Sequence, residues 1–183
     1  MDNLERIAAA LEGFIDWVGR ATSWLVFGMV LLISSEVIFR YGFDKSSIAA
    51  QDLEWWLLAI ISLFGLSYTL KHGEHVRVDV LYQFYGEDFR RWFDFVIALF
   101  VMTPVAFYIA YLSVPFVVQS WNENEVSVNP GGLPDLWFLK GFVPAGFFLL
   151  GLQCLALAVK QGIALWRHHK GGSDATTEAG TGP

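Results

Sequence analysis

Apolar residues in this chain come in four long blocks, and the charges fall between them. The blocks cover about 22–39, 53–70, 92–118 and 137–159. Each is close to or above the ~20 residues an α-helix needs to cross a hydrocarbon core ~30 Å thick. The pattern predicts an all-α integral membrane protein with four transmembrane helices. Charges inside the blocks are few: Glu36 in the first, Glu54 at the edge of the second, Asp94 and Lys140 near the starts of the third and fourth. The third block is longer than a crossing requires and contains Pro104 and Pro115. It must tilt, kink at Pro104 or end near Pro115.

Two segments flank this membrane domain of 22–161. In 1–21, Leu4, Ile7, Ala8, Leu11, Ile15 and Val18 share one helical face, with Glu5, Glu12 and Asp16 on another. That spacing predicts an amphipathic interfacial helix on the cytoplasmic surface, and it fits an ordinary extension of the first span equally well. The segment 162–183 is expected to be a cytoplasmic tail, disordered from about 171, where small and polar residues take over. The N-terminus is not basic and no small-residue cleavage site follows the first block, so the first span is expected to be retained.

Tryptophan marks where the spans end. Trp17 and Trp24 flank the first, Trp55 and Trp56 open the second, Trp92 opens the third, Trp121 follows it, and Trp137 and Trp166 bracket the fourth. Indole prefers the bilayer interface, where its ring is half-buried and its N–H stays wet. Lys and Arg give the direction. One set of flanks carries Arg6, Arg20, Lys71, Arg77, Arg90, Arg91, Lys160, Arg167 and Lys170; the other carries Arg40, Lys45 and Lys140. Nine against three places both termini and the middle loop in the cytoplasm, with the loops around 44–51 and 120–135 facing outward, which in a bacterium is the periplasm.

Composition then narrows the function. The chain has 183 residues, 55% hydrophobic, and a net charge of −6, which argues against nucleic acid as a partner. A single cysteine, Cys154, allows no internal disulfide. The four histidines, His72, His75, His168 and His169, all lie outside the spans, where they are poorly placed as axial haem ligands. No zinc motif, phosphate loop or nucleophile–base set is present, so the chain does not read as an enzyme, and no cofactor is expected in it.

Intramembrane charge is costly and marks the candidates that remain. Glu36 and Arg40 are four residues apart on one helical face, in the favourable order for a pair. They form a buried contact with another helix or simply snorkel to the outer interface. Asp52 and Glu54 either bind a partner or a cation, or sit at a helix N-terminus favoured by its dipole, with Ser46 or Ser47 as the cap. The polar stretch 71–79 reads as a cytoplasmic connection rather than a metal site. The outer loop 120–134 is rich in turn formers, and Gly131-Gly132 permits a tight re-entry into the fourth span.

In order along the chain, several stretches resemble the small membrane subunit of tripartite ATP-independent periplasmic (TRAP) transporters. They are Val37-Ile38-Phe39-Arg40-Tyr41, Asp52-Leu53-Glu54-Trp55, Tyr68-Thr69-Leu70-Lys71-His72 running into His75-Val76-Arg77-Val78-Asp79, and Gly131-Gly132-Leu133-Pro134 followed by Trp137 and Lys140. The chain departs from that family at Glu36, where a neutral polar residue is common, and at Gln51-Asp52, where two acidic residues are common. The resemblance implies a subunit that packs against a large transport subunit, which holds the sodium and substrate sites, while a periplasmic binding protein delivers an organic acid. Glu36, Arg40, Asp52, Glu54, Arg77, Asp79, Gly131, Gly132, Pro134 and Lys140 are then the candidates for interface or structural roles. The competing readings are a self-sufficient oligomeric transporter or channel and the membrane anchor of a respiratory complex.

Overall fold

The computed structural model describes residues 2–72 and 86–179. Among them every regular element is helical: α1 (Asp2–Phe43), α2 (Ile48–His72), α3 (Glu87–Val96), a π-helical turn (Ile97–Met102), α4 (Thr103–Asn122) and α5 (Leu136–Ala179). Four stretches have the length and hydropathy to cross a membrane: Ala9–Phe43, Ile48–His72, Trp92–Asn122 and Leu136–Ile163. The protein is therefore an all-α, four-span integral membrane protein.

The long third span neither stops at Pro115 nor breaks at Pro104. Proline has no N–H, and its ring crowds the carbonyl one turn back. Here the turn before Pro104 widens to a π-turn, and the Thr103 hydroxyl donates at 2.7 Å to the Ala98 carbonyl, which also accepts the Thr103 backbone N–H. The helix then runs through Pro115 to Asn122.

At the other end of the chain, α1 has no break between 21 and 22. Ile15, on the apolar face of the first segment, is 1% exposed because that face lies on the ends of α2 and α5. α5 likewise continues to Ala179, through 171–179, for which composition predicts no structure. Extending an existing helix adds one hydrogen bond per residue fixed, whereas starting one costs several, so continuation needs little help from sequence.

The four spans do not close into a symmetric bundle. α1, α2 and α5 pack mutually, and the third span packs chiefly on α5. Register is regular throughout. Along α1 and α2, Asp16 faces Lys71, Gly19 faces Tyr68 and Glu36 faces Gln51, each pair of numbers adding to 87. Along the third span and α5, Phe95 meets Gly162, Phe107 meets Gly151, and Phe116 lies under Lys140.

Glycine sets the closeness of these crossings. A Cβ on Gly146 would lie 2.9 Å from the Leu63 Cβ, and one on Gly19 would strike the Tyr68 ring. Between lipid-like side chains no water is released on packing, so close backbone approach supplies much of the attraction. Replacing Gly146 with Leu should therefore destabilise the chain by about 1–3 kcal/mol through overpacking, read as a lower thermal midpoint in detergent micelles.

Candidate functional site: two polar collars

The polar side chains of the spans collect at two levels. The inner level joins three helices. Lys71 pairs with Asp16, and its ammonium also donates to the Glu12 carbonyl at 3.0 Å. Lys160 of α5 meets the Glu12 carboxylate at 2.5 Å. None of these pairs stands out from the sequence, because their members are 55 or more residues apart.

The outer level starts at Glu36, which is only 7% exposed. Its Oε1 accepts from Arg40 at 3.0 Å and from Gln51 at 2.9 Å, so the expected pair exists and is extended to α2. The Glu54 carboxylate faces Glu36. Asp52 departs from its helix-terminus explanation. α2 begins at Ile48, with the Ser47 hydroxyl accepting weakly from Ala50 N–H at 3.4 Å, so Asp52 and Glu54 lie beyond the first turn. Asp52, 6% exposed, instead holds the outer loop. It accepts from Asn129 Nδ2 at 2.9 Å and from the Leu133 N–H at 3.1 Å, and the Ser127 hydroxyl also reaches it.

The loop is shaped to meet that carboxylate. Asn129-Pro130-Gly131-Gly132 is a type II turn, closed by Gly132 N–H to Asn129 C=O at 2.9 Å, with Gly131 at φ 84°. Proline presets the first central angle and glycine supplies the second, which L side chains resist. Gly132 has a different constraint: a Cβ there would collide with Asp52 and Ser127. Pro134 follows as an exposed residue before α5. Lys140 then pairs with Glu125 and lies 4.1 Å from the centre of the Phe116 ring, joining the loop, the third span and α5. Arg77 and Asp79 lie outside the described residues.

The two collars are evenly separated. Asp16 to Glu36 on α1 and Lys140 to Lys160 on α5 are each 20 residues, and Asp52 to Lys71 on α2 is 19. At 1.5 Å per residue these are about 30 Å, the thickness of a hydrocarbon core. Trp17 adjoins the inner collar, whereas Trp24 lies about two turns inside it. The first span thus begins earlier than tryptophan spacing indicates.

Between the collars the buried polar groups are isolated. Thr22 donates to the Val18 carbonyl at 2.9 Å, and Ser67 Oγ and Gln153 Oε1 have no hydrogen-bond partner. Among the described residues no group of His, Cys, Asp and Glu has the geometry to hold a metal ion.

Fold and collars together define a multi-pass membrane protein whose collar charges pair with its own helices. The family described as tripartite ATP-independent periplasmic transporters, DctQ component, matches residues 29–162, and the chain belongs to that family. It is a family of transporter components, not of enzymes. The ectoine TRAP transporter small permease protein TeaB of Halomonas elongata is 28% identical over 139 residues, covering 74% of this chain and 70% of that protein. The sialic acid TRAP transporter permease protein SiaT of Haemophilus influenzae is 22% identical over 123 residues, which are 67% of this chain and 19% of that longer one.

Two outcomes follow from the outer collar. Asp52→Ala removes the acceptor for at least two loop donors and should speed hydrogen exchange of the amides at 127–133, led by Leu133, at a stability cost of about 1–3 kcal/mol. The Lys140 ammonium beside Glu125 holds that carboxyl below its ordinary 4.5. A depressed carboxylate contributes stability that is full above its unfolded value and lost as pH falls through the folded value. Stability should therefore decline on acidification below about 4.5, and Glu125→Gln should flatten that part of the pH–melting curve measured by intrinsic fluorescence.

Proposed function

We propose that the chain is the small membrane subunit of a TRAP-type secondary transporter, packing against and supporting the large transport subunit during sodium-driven uptake of an organic acid. A periplasmic protein delivers the substrate, and the large subunit carries the substrate and sodium sites. The observation that carries this reading is the division of polar groups. The outer and inner charges tie this chain's own helices together, and about 30 Å of apolar helix lies between them. A solute path needs polar lining along its length, and Ser67, Thr22 and Gln153 supply only separate points. Family membership supports the assembly, and the names of the two relatives supply transported solutes, ectoine and sialic acid, that differ from each other. Substrate choice would then reside in the partner chains.

The exposed sides of the spans fit the same role. Phe27, Val30, Leu31 and Val37 on α1, and Val105, Tyr108, Tyr111 and Leu112 on α4, all stand at least 47% exposed. Such faces suit lipid on one side and a larger membrane partner on the other. Both termini face the cytoplasm in this reading, in the inner membrane of a bacterium, and the nine-to-three charge split supports that direction.

The test is reconstitution. The chain alone in proteoliposomes should show no sodium-dependent uptake. Joined by the large subunit and the binding protein, it should support uptake and copurify with the large subunit. Uptake by the chain alone would refute the proposal. A reporter fused after Gly172 should be active only in its cytoplasmic form.

A further inference from the structure

Two faces of the bundle stay open after the spans have packed, and their chemistry differs. On α1 the open face runs along residues 25–33, where no side chain is charged and none carries a hydroxyl or an amide. Lipid tails match it. On the third span the open stripe runs through Val101, Val105, Tyr108, Tyr111 and Leu112, away from the buried Ala106 and Ala110. It carries two phenols, Tyr108 at 62% exposure and Tyr111 at 73%.

Depth sets these phenols apart. Residue 150 of α5 is midway between the collar residues Lys140 and Lys160, and Phe107 meets Gly151. Tyr108 therefore stands at the middle of the hydrocarbon, with Tyr111 about 4.5 Å nearer the outer edge. Long helical side chains lean toward the helix N-terminus, which here is the inner end, so the Tyr111 ring tips back toward the midplane. Each edge is about 15 Å from the midplane, beyond the reach of a tyrosine side chain. Tyrosine is favoured at that edge, where its hydroxyl meets water. Among the described residues neither hydroxyl has a hydrogen-bond partner. A serine escapes this by turning onto its own helix, as Ser113 does onto the Ile109 carbonyl at 2.7 Å. A phenol at the far end of a ring cannot.

A third polar atom lies on the same stripe. Pro115 is exposed four residues after Tyr111. It has no N–H, so the Tyr111 carbonyl loses the donor one turn ahead. Two hydroxyls and a freed carbonyl thus share one face at a depth where an unsatisfied polar group is costly. Lipid tails offer neither donor nor acceptor. A neighbouring helix with hydroxyl or amide side chains offers both.

We infer, resting on the subunit role proposed above, that the Tyr108–Tyr111 stripe is the face on which the large membrane subunit docks, and that the open face of α1 is left to lipid. The two phenols donate to polar groups of a partner helix, and that helix donates to the Tyr111 carbonyl. A second copy of this chain is the rival occupant.

The test uses the full chain coexpressed with the large TRAP membrane subunit and purified with it in detergent. Photoreactive benzoylphenylalanine replaces Tyr108, Tyr111 or Phe27 of α1, one at a time, and the crosslinked products are identified by mass spectrometry. Positions 108 and 111 should crosslink to the large subunit, and position 27 should not. Tyr108→Phe and Tyr111→Phe together keep the shape and remove the hydroxyls. The thermal midpoint of the chain alone should then stay unchanged, because no bond within the chain is lost. The dissociation constant of the pair should rise about sevenfold, as expected for two hydrogen bonds between membrane helices. In a pair that copurifies, large-subunit crosslinks from 27 equal to or in place of those from 108 and 111 overturn the assignment and leave the subunit role standing. Crosslinks from 108 and 111 to a second copy, or unchanged affinity in the double variant, do the same. Failure to copurify at all refutes the subunit role, and this assignment with it.

Discussion

The rest of the structure depends on one constraint: about 30 Å of hydrocarbon in which backbone polar groups must be satisfied within the chain and charge is costly. The ion pairs mark the two edges of that slab. On α1, α2 and α5 the paired residues recur 19 or 20 positions apart, so three helices of different total length agree on one thickness. Helix ends beyond the collars vary freely, from the short loop after Phe43 to the long extension of α5. What is held constant is the distance between the charges, because an ion pair one turn too deep would lose water without gaining a better partner.

The collars also explain how a bundle with so little buried surface keeps one arrangement. α1 is mostly exposed along its apolar length, and lipid tails compete on equal terms for its side chains. Packing alone therefore leaves α1 free to slide or rotate. A carboxylate at each end removes that freedom, since Asp16 meets Lys71 and Glu36 meets Gln51 in only one register. Sliding by one turn would strand both. The glycines at 19 and 146 then let the backbones close to contact once register is set.

The number of spans, the all-helical fold and the Glu36–Arg40 pair were legible in the sequence, because each is a local pattern: block length, hydropathy, and a four-residue spacing on one helix. The compact re-entry at Gly131-Gly132 was legible for the same reason. The role of Asp52 was not. Its partners are 75 or more residues away, and nothing in its neighbourhood distinguishes a helix-end carboxylate from one that holds a distant loop. The inner pairs were hidden likewise, with Glu12 and Asp16 read as the polar face of a segment that fits an interfacial helix and an extension of the first span equally well. The carboxylates of that face are used by Lys71 and Lys160. Trp24, exposed about two turns inside the inner collar, looks in sequence like an indole at the boundary.

The two collars differ in a way that bears on the role of the chain. The inner one is built from simple pairs, a lysine on each of two helices answered by carboxylates and a carbonyl of α1. The outer one is a network in which a loop, two helix ends and a second carboxylate all depend on Glu36, Asp52 and Lys140. Removing one member of a buried network costs more than the pair it belonged to, because the partner is left charged and unsolvated. The outer face is thus the more exactingly specified surface, shaped by a turn that tolerates glycine and little else at two positions. A subunit that served only to fill membrane area would have no use for such a surface. Its rigidity makes sense where another chain must find the same shape at each encounter.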